Sequence, residues 1–176
     1  MKCIVITDIN DLPSQESCLL SGCSGSVSIE RVGLAELLGS SERGEELYRR
    51  LLQGGFDAAA AKVLQRFADA EVALGYSSGG AVLWKSVLRG LRLKRLVCIS
   101  STRLKDEDPR ALPIPALTVF GESDASRPPA SWGEGSELKR LLLPDAEHAF
   151  YTKEDENWLA CRAAVMNFLR PCKIEV

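Results

Sequence analysis

The sequence predicts an α/β domain built on one mostly parallel six-stranded sheet with helices on both faces. Three observations carry that expectation. Apolar runs of strand length recur along the chain, several nearly continuous in Val, Ile and Leu, as strands covered on both faces require. Stretches with apolar residues at helical spacing separate them. Strand and helix therefore alternate, the pattern of parallel strands joined by crossover helices.

The strands are expected at 2–7, 26–31, 70–74, 95–100, 116–120 and 139–143. The first, Lys2-Cys3-Ile4-Val5-Ile6-Thr7, is too soon interrupted by Asp8 for a secretory leader and reads as a buried strand. From Phe56 to Phe67, Phe56, Ala60, Val63, Leu64 and Phe67 share one face behind Asp57. A second helix is expected from Gly79 to Leu88. A third, Glu154 to Leu169, sets Trp158, Cys161, Val165, Phe168 and Leu169 on one stripe and stops before Pro171. Within 33–53 a helix is expected from Glu45 to Leu52, broken by Gly54-Gly55. The Ser-, Gly- and Asp-rich segment 8–25 shows at most one helical turn, near Glu16 to Leu20. No repeat, low-complexity tract or linker divides the chain, so 1–176 reads as a single domain.

The chain has 176 residues, 45% hydrophobic and 26% charged, which suits one globular domain with a sizeable core. A net charge of -2, with no basic cluster interleaved with aromatics, gives no reason to expect a nucleic-acid partner. No apolar run is long enough to cross a bilayer, so no membrane association is expected. The six cysteines, Cys3, Cys18, Cys23, Cys98, Cys161 and Cys172, form no Cys-x-x-Cys pair and have one histidine as possible co-ligand. They read as reduced thiols of a cytoplasmic protein without a metal.

The chemistry is concentrated in Gly75-Tyr76-Ser77-Ser78-Gly79. An apolar strand runs into this pentapeptide and a small-residue helix runs out, the context of a nucleophile elbow. The serine of an elbow sits on a sharp, strained turn, so side chains two positions before and after it would collide with neighbouring backbone. A serine hydroxyl also needs an adjacent base. The one histidine, His148, lies downstream, with acidic residues between it and Ser77. The Ser, Asp, His order matches elbow chemistry. A nucleotide-binding alternative lacks support, because neither Gly-x-Gly-x-x-Gly nor a phosphate loop follows the first strand.

With these features the chain resembles the α/β-hydrolase superfamily, over nearly its whole length. The resemblance implies a minimal form of that fold, cap-less, without the antiparallel strands that often precede its central six. It implies Ser77 as nucleophile, Asp124 as acid after the strand second from the end, and His148 as base after the last strand. Asp106 and Asp108, after the preceding strand, occupy the alternative position for the acid. The run His148-Ala149-Phe150 is similar to the dienelactone-hydrolase branch, which carries cysteine where this chain has Ser77.

The implied activity is cleavage of a carboxylic ester or thioester of a small acyl substrate through an acyl-enzyme, with no cofactor. The backbone amides of Ser78 and of Ile9 or Asn10 would receive the oxyanion, and Tyr76, Trp132 and Phe150 would wall the pocket. Trp84 and Trp158, on helix stripes, are expected in the core. One departure stands out. The loop Thr7-Asp8-Ile9-Asn10-Asp11-Leu12-Pro13 has no glycine, and Asp8 brings negative charge near a developing anion. That loop would also suit a binding or regulatory protein that keeps the elbow as architecture alone.

Overall fold

The computed structural model describes residues 1–22 and 27–169. Six strands form one sheet: β1 (Lys2–Ile6), β2 (Ser28–Val32), β3 (Val72–Tyr76), β4 (Arg95–Ile99), β5 (Ala116–Gly121) and β6 (Lys139–Leu143). Their order is β2-β1-β3-β4-β5-β6, and every neighbouring pair is parallel. The four inner strands are almost wholly buried, whereas the edges, Ser-Ile-Glu-Arg-Val in β2 and Lys-Arg-Leu-Leu-Leu in β6, carry charge and partial exposure. Charged edges discourage pairing with another chain.

Alternation along the strands divides the core in two. Ile4, Ile6, Ala73, Leu96, Cys98 and Phe120 face one side of the sheet, with Cys3, Val5, Leu74, Val97 and Val119 on the other. The first side is covered by α1 (Leu34–Leu37), α2 (Gly44–Arg50), α3 (Phe56–Arg66) and α4 (Ser78–Leu88). Trp84 of α4 lies in that core. A wide turn, Leu51–Gly55, separates α2 from α3, with Gly54 at φ 98° in the left-handed region open to glycine. The expected break at Gly54-Gly55 is therefore present, while α1 was not foreseen.

The opposite side is closed by α5 (Glu156–Leu169). Asp155 caps α5 by accepting from the Trp158 amide at 3.0 Å, and Trp158, Cys161, Val165 and Leu169 face the sheet. Phe168 is half-buried beside them. Residues 15–22 fill the rest of this side as short turns, one closed by the Ser21 amide on the Cys18 carbonyl at 2.8 Å, and no helix forms where one turn near Glu16 to Leu20 is expected. Side chains satisfy their backbone instead. The Leu19 amide donates to the Tyr76 hydroxyl at 3.0 Å, Trp158 Nε1 donates to the Ser17 carbonyl at 3.2 Å, and Arg162 Nε donates to the Leu19 carbonyl at 3.2 Å.

The last strand has the expected bounds, and the others differ from theirs by one or two residues at an end. Ser26, Cys23, Pro171 and Cys172 lie outside the described residues. Cys3, Cys18, Cys98 and Cys161 are buried, and burial pushes the Cys98 thiol up to about 12. Among the described residues no helix is long and apolar enough to cross a membrane.

Because α5 is the one α-helix among the described residues that covers its side, truncating its main anchor should be costly. Trp158→Ala is expected to lower unfolding free energy by about 3–5 kcal/mol. Leu159→Ala, at a residue 59% exposed, should change it by less than about 0.5 kcal/mol. Urea unfolding followed by far-ultraviolet circular dichroism measures both.

Candidate active site

The chain leaves β1 for the edge strand β2 and returns to lay β3 on the other side of β1. Strand order reverses there, and in open parallel sheets the crevice at such a point, beyond the carboxyl ends of the strands, is where ligands bind. Ser77 occupies this place between β3 and α4. Its backbone, φ 48° and ψ -121°, is a conformation that side-chain-bearing residues rarely adopt. Two close approaches enforce it. A β-carbon on Gly79 would lie 2.5 Å from the carbonyl oxygens of both Ile6 and Thr7, and one on Gly75 would lie 2.5 Å from Gly80 Cα. The collisions expected two positions either side of the serine are thus specific backbone contacts.

His148 follows β6 and reaches back over the elbow. Its Nε2 lies 3.0 Å from Ser77 Oγ, and its Nδ1 lies 3.0 Å from both carboxylate oxygens of Asp124. Asp124 follows β5, and its Oδ1 also accepts from the Ser126 amide at 2.8 Å. The carboxylate is 2% exposed. Burial alone pushes this carboxyl up. Donation from His148 and Ser126, the imidazole's charge and the Ser100 hydroxyl outweigh it, and the group sits below the usual carboxylate range. An ionised carboxylate only accepts, so it fixes the Nδ1–H tautomer and turns the Nε2 lone pair towards Ser77. Asp106 and Asp108 lie elsewhere, paired with Arg103 and Arg110 at 3.0 Å.

The loop after β1 has a different geometry from the one its sequence suggests. The Asp8 carboxylate folds into its own loop, where Oδ1 accepts from the amides of Asn10 at 2.7 Å and Leu12 at 2.9 Å. Its Oδ2 accepts from the Tyr151 hydroxyl at 2.9 Å. The three groups bonded to the Asp8 carboxylate are all donors that spread its charge. The Asn10 amide is committed to this turn. The amides of Ile9 and of Ser78, the first residue of α4, have no acceptor among the described residues.

The expected pocket wall is corrected. Tyr76 continues the parity of Val72 and Leu74, so its ring enters the α5 side of the core and its hydroxyl holds residues 18–19. Trp132 stacks on Trp84 at 5.7 Å and donates from Nε1 to the Glu107 carbonyl at 2.9 Å. Phe150 packs edge-on to Tyr151 at 6.0 Å. All three are more than nine-tenths buried, hence they are core rather than wall. The sequence reading overlooked Tyr151, whose fully buried hydroxyl lies between Asp8 and Ser77. Burial pushes its phenol well up and the Asp8 charge adds to this, keeping the proton on the ring oxygen. Its place three residues after His148 was the only signal available.

No protein-family model matches the sequence, and no curated protein matches it significantly. Solved structures do match in shape. The RedJ thioesterase from the prodiginine biosynthetic pathway of Streptomyces coelicolor is 14% identical at a TM-score of 0.64, covering 95% of this chain and 89% of that one. Naproxen esterase (carboxylesterase NP) from Bacillus subtilis is 12% identical at 0.66, covering 96% and 83%. A predicted CIB-like hydrolase from Thermoplasma acidophilum is 14% identical at 0.67, covering 96% and 86%. Likeness at this identity speaks to the frame, and with the strand order and the elbow it identifies the architecture: the chain has the α/β-hydrolase fold.

Proposed function

We propose that this chain is a serine hydrolase that cleaves a carboxylic ester or thioester of a small acyl substrate through an acyl-enzyme. The observation that carries the reading is the unbroken hydrogen-bonded chain Ser77–His148–Asp124 over the strained elbow, built from residues 71 and 24 positions apart. Neighbours named as thioesterase and esterase support the same chemistry on this frame.

In the first half-reaction, Ser77 Oγ forms a bond to the acyl carbon as its proton passes to His148 Nε2. The carbonyl electron pair moves onto oxygen, where the Ser78 amide at the positive end of α4 stabilises it. The Ile9 amide is the second donor, because Asp8 already engages Asn10. Collapse expels the alcohol or thiol, which takes the proton from His148. Water then repeats the sequence in reverse roles and releases the acid. Asp124 stays ionised throughout, braces the ring and stabilises the imidazolium. No step calls on a metal or organic cofactor. Burial of Cys18, Cys98 and Cys161 in the core suits a reducing, cytoplasmic setting.

A second reading, a binding or regulatory protein on the same frame, draws on the Asp8 loop, where the carboxylate engages the Asn10 amide, one of the two candidates for the second oxyanion donor. A fluorophosphonate probe separates the two. The hydrolase is expected to label once per chain at Ser77. Ser77→Ala should abolish labelling, and His148→Ala should slow it by about 10³–10⁴-fold. A folded protein that never labels supports the second reading instead.

The brace also has a stability signature. Asp124 has a depressed folded-state pKa, so its contribution is fully present above the unfolded carboxylate range, around ~4. It is lost as pH falls through the lower folded value. Asp124→Asn is thus expected to unfold at lower urea than the parent at pH 6, with the gap narrowing as pH falls below the unfolded carboxylate range. Urea midpoints across that range measure it.

A further inference from the structure

The Asp124 carboxylate is buried, yet its two oxygens are unequally served. Oδ1 accepts from the Ser126 amide and from His148 Nδ1, whereas Oδ2 has only its share of the same imidazole N–H among the described residues. An ionised carboxylate oxygen can take two donors, and a buried one left short is costly.

A matching deficit lies beside it. Ser100 follows β4, and its amide donates to the Val119 carbonyl at 2.8 Å, carrying the β4–β5 pairing one step past the strand. This sets Ser100 alongside the end of β5, from which the Asp124 loop springs. Ser100 is completely buried, and its Oγ has no hydrogen-bond partner among the described residues. Its backbone is at φ 43°, where glycine is at ease and serine is strained. A buried orphan hydroxyl at a strained position calls for an explanation. The hydroxyl is near enough to Asp124 to help hold that carboxyl low.

We propose that Ser100 is a positioning residue whose hydroxyl donates to Asp124 Oδ2 and fixes the carboxylate plane against the His148 ring. The strained backbone at Ser100 keeps the donor on the β5 side of the strand end. It acts through Asp124 and touches no reacting atom. The inference rests on the hydrolase reading only for its effect on rate, since the bracing of the ring can be read directly.

Two substitutions separate the hydroxyl from the backbone it sits on. Ser100→Ala removes the donor and keeps the strain, while Ser100→Gly removes both and should be the more stable to urea. Both are expected to slow fluorophosphonate labelling of Ser77 roughly 10-fold, the equivalent of one hydrogen bond to a charged group. The chain has one histidine, so ¹⁵N-histidine labelling gives a single pair of ring-nitrogen resonances. The Nδ1-attached proton signal should broaden or shift in both variants as the carboxylate gains freedom. Wild-type labelling rates with an unchanged Nδ1 proton signal in the two variants overturn the proposal. If Ser100→Ala does not fold, Ser100→Gly carries the test. A parent protein that never labels overturns the hydrolase reading, and the ring resonance still decides on Ser100.

Discussion

The architecture turns on how closely α4 can approach the end of β1. The Gly79 backbone sits against the last carbonyls of that strand, at a separation no β-carbon could share. This contact holds the first turn of α4 over the switch in strand order and forces the chain at Ser77 into its unusual bend. Such a bend costs of order 1–3 kcal/mol and persists only where the surroundings over-determine it. Here they do: β3 pairs with neighbours on both sides, and α4 is buried along most of its length. The nucleophile's position is thus set by backbone packing, independently of its partners.

Those partners come from loops that share no local sequence, yet the sheet brings them together. β5 and β6 pair in parallel from Leu117 with Lys139 to Gly121 with Leu143, so the loops after them emerge side by side. The Asp124 and His148 loops also support each other, with the Ser123 amide donating to the Ala146 carbonyl at 2.9 Å. Two buried carboxylates flank the serine, Asp124 beyond the imidazole and Asp8 beyond Tyr151. Asp124 is served by one backbone amide and the imidazole, Asp8 by two amides and a phenol, which is how the interior holds two negative charges near one reactive centre.

Much of this was legible in the residues. The apolar runs marked the strands and the glycine spacing marked the sharp turn, while residue order left Asp106, Asp108 and Asp124 all open as the acid and only the family resemblance favoured Asp124. Strand parity alone would also have put Tyr76 in the core with Val72 and Leu74, so its assignment to the pocket wall neglected a period of two. Other features had no local signature. The bond from Tyr151 to Asp8 joins residues 143 positions apart, and nothing near either predicts the other. The α5 side was misread for a related reason. Residues 14–22 lack helical periodicity because their backbone is satisfied by tyrosine, tryptophan and arginine side chains from distant elements.

That last arrangement bears on how the molecule becomes whole. Around Ser17 and Leu19 the chain depends on distant partners, since the groups that hold it there belong to β3 and to α5. During synthesis from the amino end, the underside of the sheet stays uncovered until α5 has emerged and docked. Sealing of this side therefore waits on α5, and Ser17 and Leu19, made early, meet their Trp158 and Arg162 partners only then.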